Sequence, residues 1–518
     1  MKSKSSSKAS VVKSGAGRSA ATKRGAAAKP SAGRAKKVAS SRKSAAALRS
    51  VPPLIDPPAR AGRRPYSPPE ISPLSSLGAK PPSAVRRPET RPVLGGVRVD
   101  ALAAEFGTPL YVLDEDALRR RYREMIGAFR RRYSDVKIGW SVKTNWLSAV
   151  AAILRSEGAW GEVVSGFEYG ICRDLGIPGR EIIFNGPWKT DDELRRAFAE
   201  GAHVNIDGDD ELRRVARIAR DADAPVSVGM RVNLKLNYPP WDKFGFGLED
   251  GRALETARLI AAEPKLKLER LHLHVGTYVP DSALYGRGAE ALTALALKLE
   301  SELGLEIRHL DLGGGYATRN TLRGAMLSGE LTAATLDDYA EAVTAPIRKA
   351  AKQFKRPPTL FLEPGRVLID EAMAMVSTVR AVKRVSGKAK AAIMDVGVHI
   401  LPTAYWYQHD VRPVFDDGRA LETYRLAGPL CMQIDVVRES VVLPSLRAGD
   451  LLVVSDVGAY NFSQSMQFIQ LRPPVVLLKD GRAELVRTAE TPDYVRLPER
   501  LPQHLVNAET GSSALARR

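Results

Sequence analysis

Three segments, far apart in the sequence, carry residue types that could act in one reaction. Lys143, in Trp-Ser-Val-Lys-Thr-Asn, offers a primary amine after a short apolar run. The run Gly313, Gly314 and Gly315 lacks side chains, so its backbone N–H groups can approach a phosphate closely. Glu363 adds a carboxylate in Glu-Pro-Gly-Arg. A lysine alone would indicate only a strand end at the surface, but the three segments together suggest a pyridoxal-phosphate site.

These segments lie among short β-like runs that alternate with stretches of helical periodicity. Eight such units in about 240 residues are what a (β/α)8 barrel, the TIM barrel, requires. The predicted strands are Val136–Ser141, Gly161–Ser165, Glu181–Asn185, His203–Ile206, Val226–Asn233, Leu268–Val275, Ile307–Leu312 and Thr359–Glu363.

The candidate residues recur at the ends of these predicted strands. The C-terminal ends of barrel strands form the face on which barrel active sites are built. The side chains or turns at or just beyond those ends are Lys143, Ser165, Asn185, Arg231, His274, Gly313 and Glu363.

The sequence changes character beyond about Glu371, where valine-rich runs follow one another without long helices. The predicted strands here are Met373–Val382, Lys390–Met394, Gln433–Val442, Leu451–Val454 and Pro474–Leu478. They predict a mainly antiparallel β domain. Before the barrel, the pattern predicts helices at Asp100–Phe106 and Glu115–Tyr133 and a strand at Pro109–Asp114.

The N-terminal region is basic. Residues 1–80 hold 18 of the 78 lysines and arginines and two acidic residues, so they carry +16 of the +19 net charge. Residues 1–50 contain few large apolar side chains, which predicts disorder. Such a tail could bind nucleic acid or an anionic membrane, act as an organelle transit peptide, or be a solvated extension.

The predicted organisation has six parts. They are a disordered basic tail (1–50), a proline-rich linker (51–95), a segment joining the β domain (96–125), a cofactor-binding barrel (126–372), a C-terminal β domain (373–500) and a second tail (501–518).

Other residue types argue against several classes of protein. Cys172 and Cys431 are the only cysteines and have no Cys-x-x-Cys partner, so we predict neither disulfides nor a structural metal. No apolar run approaches the roughly 20 residues that span a bilayer. A soluble protein in the reducing cytoplasm is the expected outcome.

Residues 97 to about 490 resemble the fold-type III pyridoxal-phosphate decarboxylases, the diaminopimelate/ornithine/arginine decarboxylase family. Trp-Ser-Val-Lys-Thr-Asn is similar to the family stretch whose lysine forms a Schiff base with the cofactor, which implies that role for Lys143. We expect partial desolvation at the barrel mouth to lower its pKa and free the amine.

The resemblance also implies the other cofactor-binding residues. Gly313, Gly314 and Gly315 match the family's phosphate loop, with Gly365 and Arg366 of Glu-Pro-Gly-Arg close by. Tyr460 resembles its phosphate-binding tyrosine, and Thr277 replaces a common serine. His274 resembles the residue that stacks on the cofactor ring; the alternative is a satisfied core histidine.

Glu363 indicates the type of reaction. A carboxylate beside the pyridine nitrogen keeps it protonated and makes the ring an electron sink, which decarboxylation needs. Alanine racemases, which resemble this fold, have an arginine there. The sequence therefore favours a decarboxylase, with a racemase, a non-catalytic cofactor-binding protein and a merely structural Glu–Arg pair as alternatives.

Cys431 resembles the cysteine that enters from a partner subunit and returns a proton after carbon dioxide leaves. The resemblance thus implies a homodimer with shared active sites, whereas a buried structural cysteine is the alternative reading.

The substrate half departs from the family. Met432 follows the cysteine where the family has an acidic residue that holds a distal amino group. The stretch Asp395–Pro402 lacks the family's substrate-binding arginine. An altered substrate pocket is expected, and residues that could line it are His399, Tyr405, Trp406, Tyr407 and Arg412.

Overall fold

The computed structural model describes residues 87–236, 242–385 and 390–505. The predicted basic tail, most of the predicted proline-rich linker and most of the predicted second tail lie outside these residues. No helix within them is long and apolar enough to cross a membrane.

Eight parallel strands form a closed barrel, which confirms the predicted fold. Each strand pairs with the next along the chain, and the eighth pairs with the first, where Leu360 lies opposite Val136. The strands are Val136–Ser141, Trp160–Val163, Ile182–Phe184, His203–Ile206, Val226–Asn233, Leu266–Leu273, His309–Asp311 and Thr359–Leu362.

The helices around the barrel form where the sequence supplies caps and an apolar stripe. In Asp209–Arg220, the first turn is acidic and the last is basic, which complements the helix dipole, while Leu212, Val215 and Ile218 form the buried face. Thr190 and Glu193 form a capping box at the start of the preceding helix.

The α-helices have the following bounds: Val99–Phe106, Glu115–Arg130, Ser148–Ser156, Gly166–Asp174, Asp191–Ala199, Asp209–Arg220, Arg252–Ala262, Ser282–Leu303, Gly329–Thr332, Leu336–Ala350, Arg366–Ile369, Asn461–Gln464 and Pro492–Val495.

The C-terminal domain is built on a mixed sheet that is mainly antiparallel, as predicted. Its long strand Met373–Arg384 pairs with three others, among them Leu110–Asp114, which precedes the barrel. The sheet's strands are Leu110–Asp114, Met373–Arg384, Lys390–Met394, Val411–Pro413, Leu421–Ala427, Val436–Pro444, Leu451–Val454, Val475–Lys479 and Arg482–Arg487.

Three strands of this sheet were not among those predicted: Val411–Pro413, Leu421–Ala427 and Arg482–Arg487. Leu421–Ala427 shows the reason, because only Tyr424 and Leu426 in it are buried and its polar residues interrupt the apolar pattern. Its place depends on pairing with Lys390–Met394 and Val436–Pro444, which local sequence does not specify.

Candidate active site

Lys143 lies in a short 3-10 turn, Val142–Thr144, directly after the first barrel strand. Its ammonium nitrogen is 2.5 Å from Oε2 of Glu162. Glu162 is fully buried on the second strand, and the Ser141 hydroxyl donates to the same oxygen at 2.6 Å. The lysine therefore stands in an ion pair within the barrel mouth.

The charge environment of Lys143 corrects one expectation from the sequence. Burial alone would lower the pKa of Lys143, but the negative charge of Glu162, with further effects of Tyr460 and Glu363, raises it above its ordinary value. The amine is therefore held as an ammonium in this structure, and desolvation does not free it.

Glu363 follows the eighth strand and is also buried. The Asn185 amide donates to its Oε1 at 2.6 Å, and Nε2 of His272 lies 3.2 Å from its Oε2. Burial favours the neutral acid, but His272, Lys143 and Asn185 outweigh it and lower the pKa of Glu363. The side chain is therefore an anion.

Asp311, at the end of the seventh strand, lies beside this carboxylate. Burial and the nearby charge of Glu363 raise the pKa of Asp311 well above its usual range. With His272, the two acids form a buried group whose potential ligand atoms lie within 4.8 Å of one another. A neutral Asp311 beside an ionised Glu363 accounts for this group without a cation, and the absence of a structural metal stays a prediction.

The glycine run packs too tightly to accept side chains. A Cβ atom on Gly314 would lie 2.2 Å from the Glu363 carbonyl oxygen, and one on Gly315 would lie 1.8 Å from that of Gly276. Gly313 and Gly315 also have φ of +65° and +92°, which favour glycine. The loop thus brings bare backbone against the Glu363 segment.

Arg366 begins the helix Arg366–Ile369 and is buried. Its Nη1 donates to Oδ2 of Asp370 at 3.1 Å. Its guanidinium carbon lies 4.5 Å from the ring centre of Tyr407 and 5.2 Å from that of Tyr460. Gly365 precedes it and leaves room for the Thr144 side chain, which a Cβ atom there would overlap.

His274 is uncharged. Burial, with the positive charges of Arg231 and Lys143, lowers the pKa of His274 to about 3. The Gly314 N–H donates to its Nδ1 at 3.3 Å. A neutral imidazole held in this way can lie against an aromatic ring without adding a charge.

Most of the predicted site residues converge on one cavity. Cys431 is exposed and does not line it, and Gly313 and Gly314 lie outside its lining. The cavity is lined by Ser141, Lys143, His274, Thr277, Tyr278, Gly315, Tyr316, Glu363, Gly365, Arg366 and Tyr460. An amine, a carboxylate, an arginine and a bare glycine turn around one space fit pyridoxal phosphate.

A wider cavity of about 610 Å³ shares Lys143, His274 and Glu363 and extends outward past Trp406 and Tyr407. These two aromatic residues were among the predicted pocket residues. Three others were not placed there: His399 and Tyr405 line neither cavity, and Arg412 lines a different pocket.

Glu162 is the functional candidate that sequence reasoning missed. It lies inside the predicted strand Gly161–Ser165, and the sequence alone does not show on which face of that strand its side chain lies. A carboxylate in a buried strand was the available signal, since such a group needs a partner. Here the partners are Lys143, Ser141 and Asn185.

Comparison with known proteins extends the resemblance over both domains. The family model described as pyridoxal-dependent decarboxylase, pyridoxal binding domain, matches residues 116–370. A diaminopimelate decarboxylase of Actinosynnema pretiosum subsp. auranticum is 33% identical, covering 77% of this chain and 90% of its own. A diaminopimelate decarboxylase of Methanothermobacter thermautotrophicus is 28% identical, and the match covers 80% of this chain and 96% of that protein.

A solved structure agrees with these sequence matches. The diaminopimelate decarboxylase of M. jannaschii, in co-complex with L-lysine, has a TM-score of 0.74 and 26% identity to this chain. The match covers 81% of this chain and 99% of that structure. The shared fold therefore includes the barrel and the β domain together.

Proposed function

The chain belongs to the pyridoxal-dependent amino-acid decarboxylases, and within that family we propose that its substrate is an amino acid without a distal ammonium group. One observation carries the proposal. The acidic residues that one chain supplies to the described lining of the wide cavity are Glu162, which is paired with Lys143, and Glu363, which accepts from Asn185 and lies 3.2 Å from His272. Neither carboxylate is left for a distal cation.

The enzyme is a pyridoxal-phosphate carboxy-lyase, and its cavity residues suggest how the cofactor is held. Lys143 would bond to the cofactor aldehyde, Arg366 and the glycine turn would face the phosphate, and Glu363 would face the ring nitrogen. When bound, the cofactor supplies an electron sink for the bond to the departing carboxylate.

Glu162 is placed to act as a proton acceptor for Lys143. Lys143 must lose a proton before its amine can attack an aldehyde. Oε2 of Glu162, 2.5 Å away, is in position to accept that proton, while Ser141 and Asn185 hold the carboxylate in place. We assign Glu162 as the group that accepts and returns the Lys143 proton.

The outer part of the cavity supports the choice of substrate class. Its wall includes Leu322, Phe244, Trp406 and Tyr407, which offer apolar and aromatic contacts to a side chain. Met432 does not line this cavity, but next to Cys431 it would reach the partner's site in a shared-site dimer, and its thioether is an uncharged, weak acceptor for an ammonium. A distal ammonium would lose an interaction worth roughly 1.5–3 kcal/mol here.

The test is carbon dioxide release from a panel of diamino, basic, acidic, aromatic and carrier-linked amino acids. We expect turnover to be highest with substrates that lack a distal ammonium. Met432→Glu should raise kcat/KM for diamino acids by about tenfold or more. Neither Met432 nor Met466 lines the cavity of its own chain, so Met466→Glu, at a methionine that is not adjacent to Cys431, is the matched control. Activity of the unchanged protein on meso-diaminopimelate alone would reject the proposed substrate class.

We infer that the active form is a homodimer in which Cys431 serves the partner's site. Two observations support this: Cys431 is exposed in a single chain, and it does not line that chain's own cavity. A cysteine that returns a proton must approach the substrate. Because Cys431 is exposed and lies outside its own chain's cavity, dimerisation would bring it into the partner's site.

A second activity is proposed for residues 1–50, which contain no acidic residue. Such a basic segment would bind nucleic acid through its phosphates, and binding would weaken steeply with salt. Full-length protein and a variant lacking residues 1–50 should differ in retention on DNA at low salt. Retention that survives the deletion, or preferential binding to anionic vesicles, would refute this assignment.

A further inference from the structure

A second polar pocket, of about 510 Å³, lies between the loop after the seventh barrel strand and the β domain. Among the residues that the structure describes, it shares no lining residue with the two catalytic cavities. Its charged lining consists of Arg91, Arg319, Arg412, Arg438, Glu330, Asp410 and Asp456.

Two of the four arginines are neutralised by carboxylates. Arg319 donates to Asp456 through two hydrogen bonds, Nε to Oδ2 at 2.9 Å and Nη2 to Oδ1 at 2.7 Å. Arg412 donates to Asp410 at 2.6 Å. These pairs account for the two aspartates of the pocket.

Arg91 and Arg438 donate to uncharged acceptors. Arg91 donates to the Ser455 hydroxyl at 2.6 Å, and Arg438 donates to the His409 carbonyl oxygen at 2.9 Å. Within the described residues, neither guanidinium lies at ion-pair distance from a carboxylate. Each guanidinium has five N–H donors, so several remain for a ligand.

The electrostatics of the pocket agree with this geometry. Burial lowers the pKa of both Arg91 and Arg438, since nearby acids do not fully compensate their charges. By contrast, the hydrogen bonds to Asp456 raise the pKa of Arg319. Two partly buried positive charges therefore face the pocket without a matching anion.

We propose that this pocket binds a small anion, a phosphate or carboxylate group, through Arg91 and Arg438. A planar guanidinium matches two oxygens of either group with parallel N–H donors. The pocket volume lies within the range of small-molecule sites. Asp410 and Asp456 repel a free anion, but their pairing with Arg412 and Arg319 reduces that effect, and Glu330 is exposed.

The test is calorimetric titration of the holoenzyme, in chloride buffer of low ionic strength, with inorganic phosphate and separately with succinate. We expect one saturable site per chain, and the two titrations identify which anion is preferred. The holoenzyme is used because its cofactor already occupies the catalytic phosphate site.

The variants are Arg91→Gln and Arg438→Gln, each expected to weaken binding by about tenfold or more. Arg438→Lys keeps the charge but not the two-pronged geometry, and should give an intermediate affinity. The control is Arg482→Gln, at an exposed arginine that does not line the pocket. Melting temperatures report whether each variant folds. The absence of saturable binding to the unchanged protein, or equal affinity in the Arg91 and Arg482 variants, would overturn the proposal.

Discussion

The carboxylate of Glu162, on the second barrel strand, lies 2.5 Å from the ammonium of Lys143, in the turn after the first strand. This ion pair keeps Lys143 protonated before the cofactor binds. Because a protonated amine cannot attack an aldehyde, the site needs a proton acceptor as well as a nucleophile. Glu162 is the proposed acceptor.

The first prediction concerns the pH dependence of cofactor loading. Glu162 raises the pKa of Lys143, so Glu162→Gln should lower that pKa and shift the rising limb of the loading rate toward lower pH. The rate is followed by visible absorbance after the cofactor is added to apoenzyme. Glu484→Gln, on an exposed strand residue, is the control. A profile in the Glu162 variant identical to that of the control would show that Glu162 does not hold Lys143 as an ammonium.

The second prediction separates binding of the cofactor from its activation. Glu363→Gln removes the charge proposed to face the ring nitrogen but leaves Lys143 in place. We expect the visible absorbance of the bound cofactor to persist while kcat falls about a hundredfold or more. If the variant kept kcat within a few-fold of the unchanged enzyme, Glu363 would have no part in the electron sink.

Much of this site was predictable because local sequence and barrel geometry agree. Lys143 and Glu363 each follow an apolar strand, and strand ends meet on one face of a barrel. The direction of Glu162 within its strand was not predictable, since it depends on how neighbouring strands pair. Arg412 was expected near the substrate. It lies in the second polar pocket instead, because its short strand pairs with Leu451–Val454.

The third prediction tests whether active sites are shared. Co-expression of Lys143→Ala with Cys431→Ala yields mixed dimers, in which one site would regain both residues if Cys431 acts across the interface. Random mixing should then restore about a quarter of the unchanged activity. Each variant alone is the control. A mixture no more active than the two separate variants would place Cys431 in its own chain's site, or outside catalysis.

The fourth prediction concerns stability and Glu168. This side chain is buried, and burial raises its pKa from 4.5 to about 7, although the Val164 N–H donates to it at 2.8 Å. Between about pH 4.5 and pH 7, the Glu168 carboxyl therefore keeps its proton in the folded chain but loses it in the unfolded chain. The free energy of unfolding should therefore fall as pH rises from about 4.5 to about 7, by about 2 to 4 kcal/mol from this group.

Denaturant unfolding measured across that pH range tests this effect. Glu168→Gln should flatten the pH dependence, whereas the exposed-residue variant Glu105→Gln should retain it. Equal slopes in the two variants would show that the Glu168 carboxyl has no perturbed proton affinity.

The central claim is that Lys143 holds the cofactor, and borohydride reduction followed by peptide mass spectrometry tests it most directly. Reduction fixes the bond between lysine and cofactor, so its position can be read from the modified peptide. We predict the added mass on the peptide containing Lys143 and its loss in Lys143→Ala. The same mass on another lysine, such as the buried Lys189, with Lys143 unmodified, would contradict the account.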